Sequence, residues 1–203
     1  MTSSPPMPPH QTPPTPHQMQ PHPMPQTVAP QPDRWLLVTV ISLVGTALVI
    51  AYAAWAYLQI WVLNPRAAMP EMSLPDIWLA VGQSQGLFDI RGTLIFLAIG
   101  PILAAALLIG GTIALRRRWW LVAGGHLLIL LLGAPAYFLA SFSPGMNLAD
   151  TFGISGADYS PWAAPLFLVS LAALVGLILG AAWVGRPSPR SRAVSPTAPA
   201  VPS

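Results

Sequence analysis

The chain predicts an all-α integral membrane protein: an up-down-up-down bundle of four transmembrane helices between disordered, proline-rich tails. Three observations carry that expectation. First, 54% of its 203 residues are hydrophobic and only 7% are charged, against roughly 25% charged in ordinary soluble domains. Second, the apolar residues are gathered into four long runs, separated by polar or basic segments. Third, the charges are partitioned by segment. Seven arginines lie before the first run, between the second and third, or after the fourth. Five of the 6 carboxylates (Glu71, Asp76, Asp89, Asp150 and Asp158) lie in the other two gaps.

Residues 1–32 hold twelve of the 25 prolines. Missing N–H donors and fixed φ angles exclude helix and sheet, so this tail is expected to be disordered and to sample extended polyproline conformations. No basic stretch precedes a short apolar one, so the first run is expected to act as an uncleaved signal anchor. It extends from about Trp35 to Leu63, with Asp33 placed to cap it. At ~1.5 Å per residue it measures ~43 Å, more than the ~30 Å hydrocarbon core. Such a helix must tilt or protrude.

The next gap contains Met72–Gly82, where Leu74, Ile77, Trp78 and Val81 share one helical face. Ser73 and Asp76 form a variant capping box and Gly82 is a natural stop. A short amphipathic helix is expected, lying on the membrane surface or packed as a lid on the bundle. The second span, about 92–115, carries Gly100-Pro101 at its middle, where a kink is expected at Pro101. Arg116, Arg117 and Arg118 separate it from the third span, 119–140, as a tight turn. Residues 141–161 read as a loop, with Asp150 and Asp158 making local turn bonds. Ser160-Pro161 opens the fourth span, 162–184, and a second disordered tail occupies 186–203. The membrane domain is thus 33–185.

Basic residues remain preferentially on the cytoplasmic side. Both termini are therefore expected in the cytoplasm, with the loops between spans one and two and spans three and four outside. The abundance of alanine, arginine and proline with no lysine fits a GC-rich bacterial genome, so the expected location is the bacterial plasma membrane.

Chemistry within the spans is sparse. His126 is their one ionisable side chain, and intramembrane ionisable groups are functional candidates. Beside Gly124 and Gly125, a neutral His126 is expected to hydrogen-bond a neighbouring helix at a close crossing. The sharper alternatives are a haem or metal ligand, or a proton-transfer residue; a bis-histidine haem would need a second copy to supply its other ligand. Absence of cysteine removes disulfides, thiolate sites and iron–sulfur clusters. The charge pattern flanks apolar spans, which is not the stripe that nucleic-acid binding needs. The tail residues His10, His17, His22, Met19 and Met24 lack regular ligand spacing, and the Asp150–Asp158 loop lacks that of a calcium hand. No cofactor, metal or catalytic set is expected.

Ala172, Gly176 and Gly180 recur every fourth residue in span four, a ridge that permits close helix approach. It is expected to pack internally, to meet a membrane-protein partner, or to form a homo-oligomer. The expected function is a non-catalytic accessory or scaffolding subunit of a membrane complex. The alternatives are an oligomeric transporter or channel, with Gly100-Pro101, His126, Thr39, Ser42 and Thr46 along its path, and an enzyme or sensor using the outer carboxylates.

Overall fold

A computed structural model describes residues 35–85, 90–115 and 118–184, and all of them are helical or in short connections. The two proline-rich tails, the Asp33 cap, Asp89 and the Arg116-Arg117 turn lie outside the described residues.

Helix α1, Trp35–Leu58, continues through a π-helical segment, Gln59–Leu63, into α2, Asn64–Ala68. After a short turn come α3, Leu74–Gln85, and α4, Ile90–Ile113. Helices α5, Trp119–Leu131, and α6, Gly133–Phe152, are separated by a break at Leu132; a 3-10 turn at Pro161–Ala163 leads into α7, Ala164–Val184. Four stretches are long and apolar enough to cross a membrane: 35–68, 91–113, 119–152 and 161–184.

Two of these exceed the lengths expected from the sequence. The first passes Leu63 and ends at Ala68, and the third passes Ala140 and ends at Phe152. In each case a proline, Pro65 or Pro144, lies within a few residues of the expected end, and in each case another element receives the carbonyl that the proline strands. Pro65 cannot donate to the Trp61 carbonyl, which accepts instead from the Trp78 indole N–H at 3.1 Å. The register adjusts one residue earlier, where the Asn64 N–H bonds the Gln59 carbonyl in the wider π pattern. Pro144 likewise strands the Ala140 carbonyl, which accepts from the Thr93 hydroxyl of α4 at 3.3 Å. Within a membrane, such replacement by neighbouring side chains is what lets a helix keep an internal proline.

The break between α5 and α6 is closed in the same way. Ser170 of α7 donates to the Leu130 carbonyl at 2.8 Å and accepts from the Ala134 N–H at 3.1 Å. One hydroxyl therefore takes the place of the missing 134-to-130 backbone bond. Gly133 makes room at this bend: a Cβ there would meet the Tyr52 ring at 2.7 Å.

The α6 extension changes the expected second loop. Residues 141–152 are helical, so Asp150 is an exposed helix residue and not a turn residue. The helix stops at Gly153, in the left-handed region with φ 63°, and the Ile154 N–H returns to the Ala149 carbonyl at 3.1 Å. The loop proper is only 153–160.

Helix α3 packs its apolar face as a lid. Ile77 and Val81 are fully buried against Leu148 of α6, with Phe152 and Ile154 alongside. The Ser73 hydroxyl bonds the Asp76 carboxylate and accepts from the Asp76 N–H, which forms the expected cap. Gly82 does not end the helix, which continues to Gln85; Ser84 and Thr151 share a 2.6 Å hydrogen bond that holds this last turn to α6. Long-range packing supplies what local glycine propensity opposes.

In the bundle, α1 packs chiefly on α4 and α5, while α7 packs on α5. Its buried positions, Val38, Ser42, Gly45, Thr46, Val49 and Ala56, follow a helical period. The outward faces are lined by large apolar side chains such as Ile95, Ile102, Leu168 and Leu179. That inversion of a soluble surface is the form a lipid solvent requires. All the described arginines and carboxylates are exposed.

Candidate functional sites in the bundle and at its α3 end

His126 lies inside the junction of α1, α4 and α5 and is 3% exposed. Its Nδ1 is 2.9 Å from the Val122 carbonyl one turn earlier. A carbonyl only accepts, so the proton of that pair is on Nδ1. In a neutral ring Nε2 is then the acceptor, 3.2 Å from the Thr46 hydroxyl of α1. That hydroxyl is also 3.2 Å from the Ala104 carbonyl of α4. It has one proton for two acceptors. The cluster therefore links three helices while holding the imidazole in one tautomer.

The close approach depends on Gly45, not on the glycines adjoining His126 in sequence. A Cβ on Gly45 would lie 2.4 Å from the His126 ring. Gly125 instead faces Leu107, at 2.6 Å from such a Cβ, and Gly124 faces open space. Thr39 donates to Trp35 within its own helix at 2.8 Å, and Ser42 is fully buried beside Gly111. Pro101 sits in an uninterrupted α4. With Gly100 it lines an apolar cavity of about 310 Å3 between α1, α4 and the α5–α6 break.

Of the span-four ridge, Gly176 touches Leu127, at 3.3 Å from an added Cβ, whereas Ala172 and Gly180 are exposed. Gly180 and Gly124 both face a wide apolar groove between α5 and α7, about 730 Å3 in volume. Trp119 and Trp183 approach each other at one end, with ring centres 6.3 Å apart.

A different chemistry occupies the α3 end. The π segment turns Gln59 and Asn64 inward, where both are buried. Asn64 Oδ1 accepts from the backbone N–H groups of Tyr159 and Ser160 at 2.7 and 3.4 Å, and Gln59 Nε2 donates to the Ser160 carbonyl at 3.4 Å. The short 153–160 loop is thereby fastened to α1. It delivers Asp158, whose Oδ1 accepts from the buried Tyr137 hydroxyl at 2.9 Å. Asp158 lines a cavity of about 230 Å3 together with Asn64, Ser141, Trp78, Phe138 and Phe142. Asp150 does not line it, so the two acidic residues of the expected loop are not brought to one cavity. Among the described residues, no three histidines or carboxylates converge in a manner that would hold a metal ion; the histidine and methionine tail lies outside them.

Gln59, Asn64, Tyr137 and Ser170 escaped sequence reading because each works across more than thirty residues or depends on a loop's final position. One signal was present: the residue four before an internal proline has a stranded carbonyl, which marks Trp61 and Ala140 as needing donors.

No protein-family model, curated protein or solved structure matches the chain.

Proposed function

We propose that the chain is a non-catalytic accessory or scaffolding subunit of a bacterial plasma-membrane complex, with both termini cytoplasmic and the α3 end outside. The supporting observation is the groove between α5 and α7, where Gly124 and Gly180 have no neighbour within 4 Å of an added Cβ. Small residues favour close helix contact in lipid because they let backbones approach and raise dispersion contact. Among the described residues, nothing covers that surface. Meanwhile four hydrogen-bonding side chains of the interior, His126, Thr46, Thr93 and Ser170, are engaged in joining helices. The division favours assembly over solute handling. The partner is a membrane protein or a second copy presenting a helix to the Ala172/Gly176/Gly180 side.

The test is site-specific photo-crosslinking in native membranes from position 180 and, as a lipid-facing control, from Leu168. Discrete protein adducts at 180 but not at 168 are expected. Absence of any protein adduct at 180, with a monomer in nanodiscs, overturns the reading. Transport by an oligomer remains the competing proposal; solute flux in liposomes that is lost on His126→Leu would establish it over the first.

A further inference from the structure

The α3-end cavity is the polar one of the three described, and its lining among the described residues includes a carboxylate and no basic side chain. We propose that it binds an organic ammonium group, primary or quaternary, carried on a small oxygen-bearing skeleton such as ethanolamine or choline.

Asp158 supplies the charge. Tyr137 bonds its Oδ1, and Oδ2 takes no hydrogen bond from the described residues. Among the described residues, no arginine or histidine lines the cavity. The carboxylate is therefore held in place from one side and remains available from the other.

The walls suit a bulky soft cation. Trp78, Phe138 and Phe142 border the same cavity. An alkylammonium over an aromatic face is attracted by the ring quadrupole while its methyl or methylene groups gain apolar contact. Trp78 is fixed by its indole bond to Trp61 and by ring contact at 4.9 Å. A bare metal ion is a poorer match, because calcium takes six to eight oxygen ligands and one carboxylate supplies at most two.

Asn64 adds a complementary polarity. Its Oδ1 is occupied by two backbone donors, which leaves the Nδ2 donors without a partner among the described residues. They can meet a hydroxyl or phosphate oxygen adjoining the cation. A volume of about 230 Å3 is below the ~300–1,000 Å3 usual for drug-sized ligands, so it fits a headgroup-sized molecule. Depth agrees: Asn64 is ~43 Å along the helix from Trp35 at ~1.5 Å per residue, past a ~30 Å hydrocarbon core. The same ammonium chemistry reaches this level as a phospholipid headgroup or as a free solute.

Ligand-observed NMR titration of the detergent-purified full chain tests the proposal with choline chloride, ethanolamine hydrochloride and 3,3-dimethylbutanol, the uncharged isostere of choline. Saturable binding of at least one ammonium compound is expected, with dimethylbutanol weaker by about tenfold or more. Asp158→Asn keeps an acceptor for Tyr137 and removes the charge; it is expected to weaken the ammonium ligand by about tenfold, or ~1.4 kcal/mol. Equal binding of the isostere, or no binding of either amine, overturns the proposal. So does unchanged affinity in a folded Asp158→Asn chain; should that variant not fold, the isostere comparison on the unaltered chain decides. Repeating the titration in nanodiscs separates the sources. Loss of free-amine binding in phosphatidylethanolamine discs, but not in phosphatidylglycerol discs, assigns the lipid headgroup. Retention in both assigns a free amine.

Discussion

Ser170→Ala is expected to be among the most damaging single-atom deletions in the bundle. Ser170 is 4% exposed, and its hydroxyl satisfies the Leu130 carbonyl and the Ala134 N–H at once. Removing it strands two backbone groups where water cannot replace it. An unsatisfied buried group costs about 1–3 kcal/mol in general, while hydrogen bonds in a membrane bundle average only ~0.6 kcal/mol with a maximum near ~1.7, because the altered chain finds substitutes. The obvious substitute is a restored 134-to-130 bond. It is opposed by Gly133, which is already pressed on the Tyr52 ring, and by Pro135 next to it. A loss of about 2 kcal/mol follows, with two bonds each near the upper membrane value and partial healing. The assay is reversible unfolding in mixed micelles of increasing SDS fraction, followed by circular dichroism. Ser141→Ala is the control, since its exposed hydroxyl only bonds Phe138 in its own helix at 3.1 Å, and a change below ~0.5 kcal/mol is expected. Should Ser170→Ala lose no more than Ser141→Ala, the inserted hydroxyl does not stabilise the break.

The glycine geometry makes a paired prediction. Gly45→Ala places a methyl 2.4 Å from the His126 ring and should cost about 1–3 kcal/mol, whereas Gly124→Ala has open space and should leave stability within ~0.5 kcal/mol; the same SDS titration compares them. Trp78→Phe keeps an aromatic ring but leaves the Trp61 carbonyl, already denied a donor by Pro65, without the indole N–H. About 1 kcal/mol is expected, and Pro65→Ala in the same chain should recover part of it by restoring a backbone donor. For orientation, a cysteine at Asp150 should react with an impermeant thiol reagent added to intact cells, and one at Ser195 should not; the reverse pattern would invert the proposed topology.

Composition and charge made the membrane class legible because lipid imposes a solvent requirement that a sequence must display openly: long apolar runs, few charges, and backbone bonds closed within helices. The four spans, the Ser73-Asp76 cap and the apolar face of α3 all follow from local or periodic patterns. Prolines were harder. Read locally, Pro65 and Pro144 each weaken a helix, and Pro144-Gly145 resembles a turn. Their actual effect depends on donors 17 and 47 residues from the carbonyls they strand.

His126 was visible in the sequence as the lone ionisable side chain of the spans. Its partner Thr46, its clearance at Gly45 and its proton on Nδ1 were not, since they belong to other helices or to side-chain geometry. Asp158 shows the same division. Its charge was plain, but the Tyr137 bond, the Asn64 anchor and the aromatic walls exist only once α1 extends through its π segment and α6 through Pro144. The sequence by itself determined that this chain holds four apolar runs long enough to cross a membrane, and roughly where its helices begin. Tertiary structure decided where those helices end and which polar groups stay available, because a stranded carbonyl or a lone carboxylate takes its meaning from whatever the fold sets beside it.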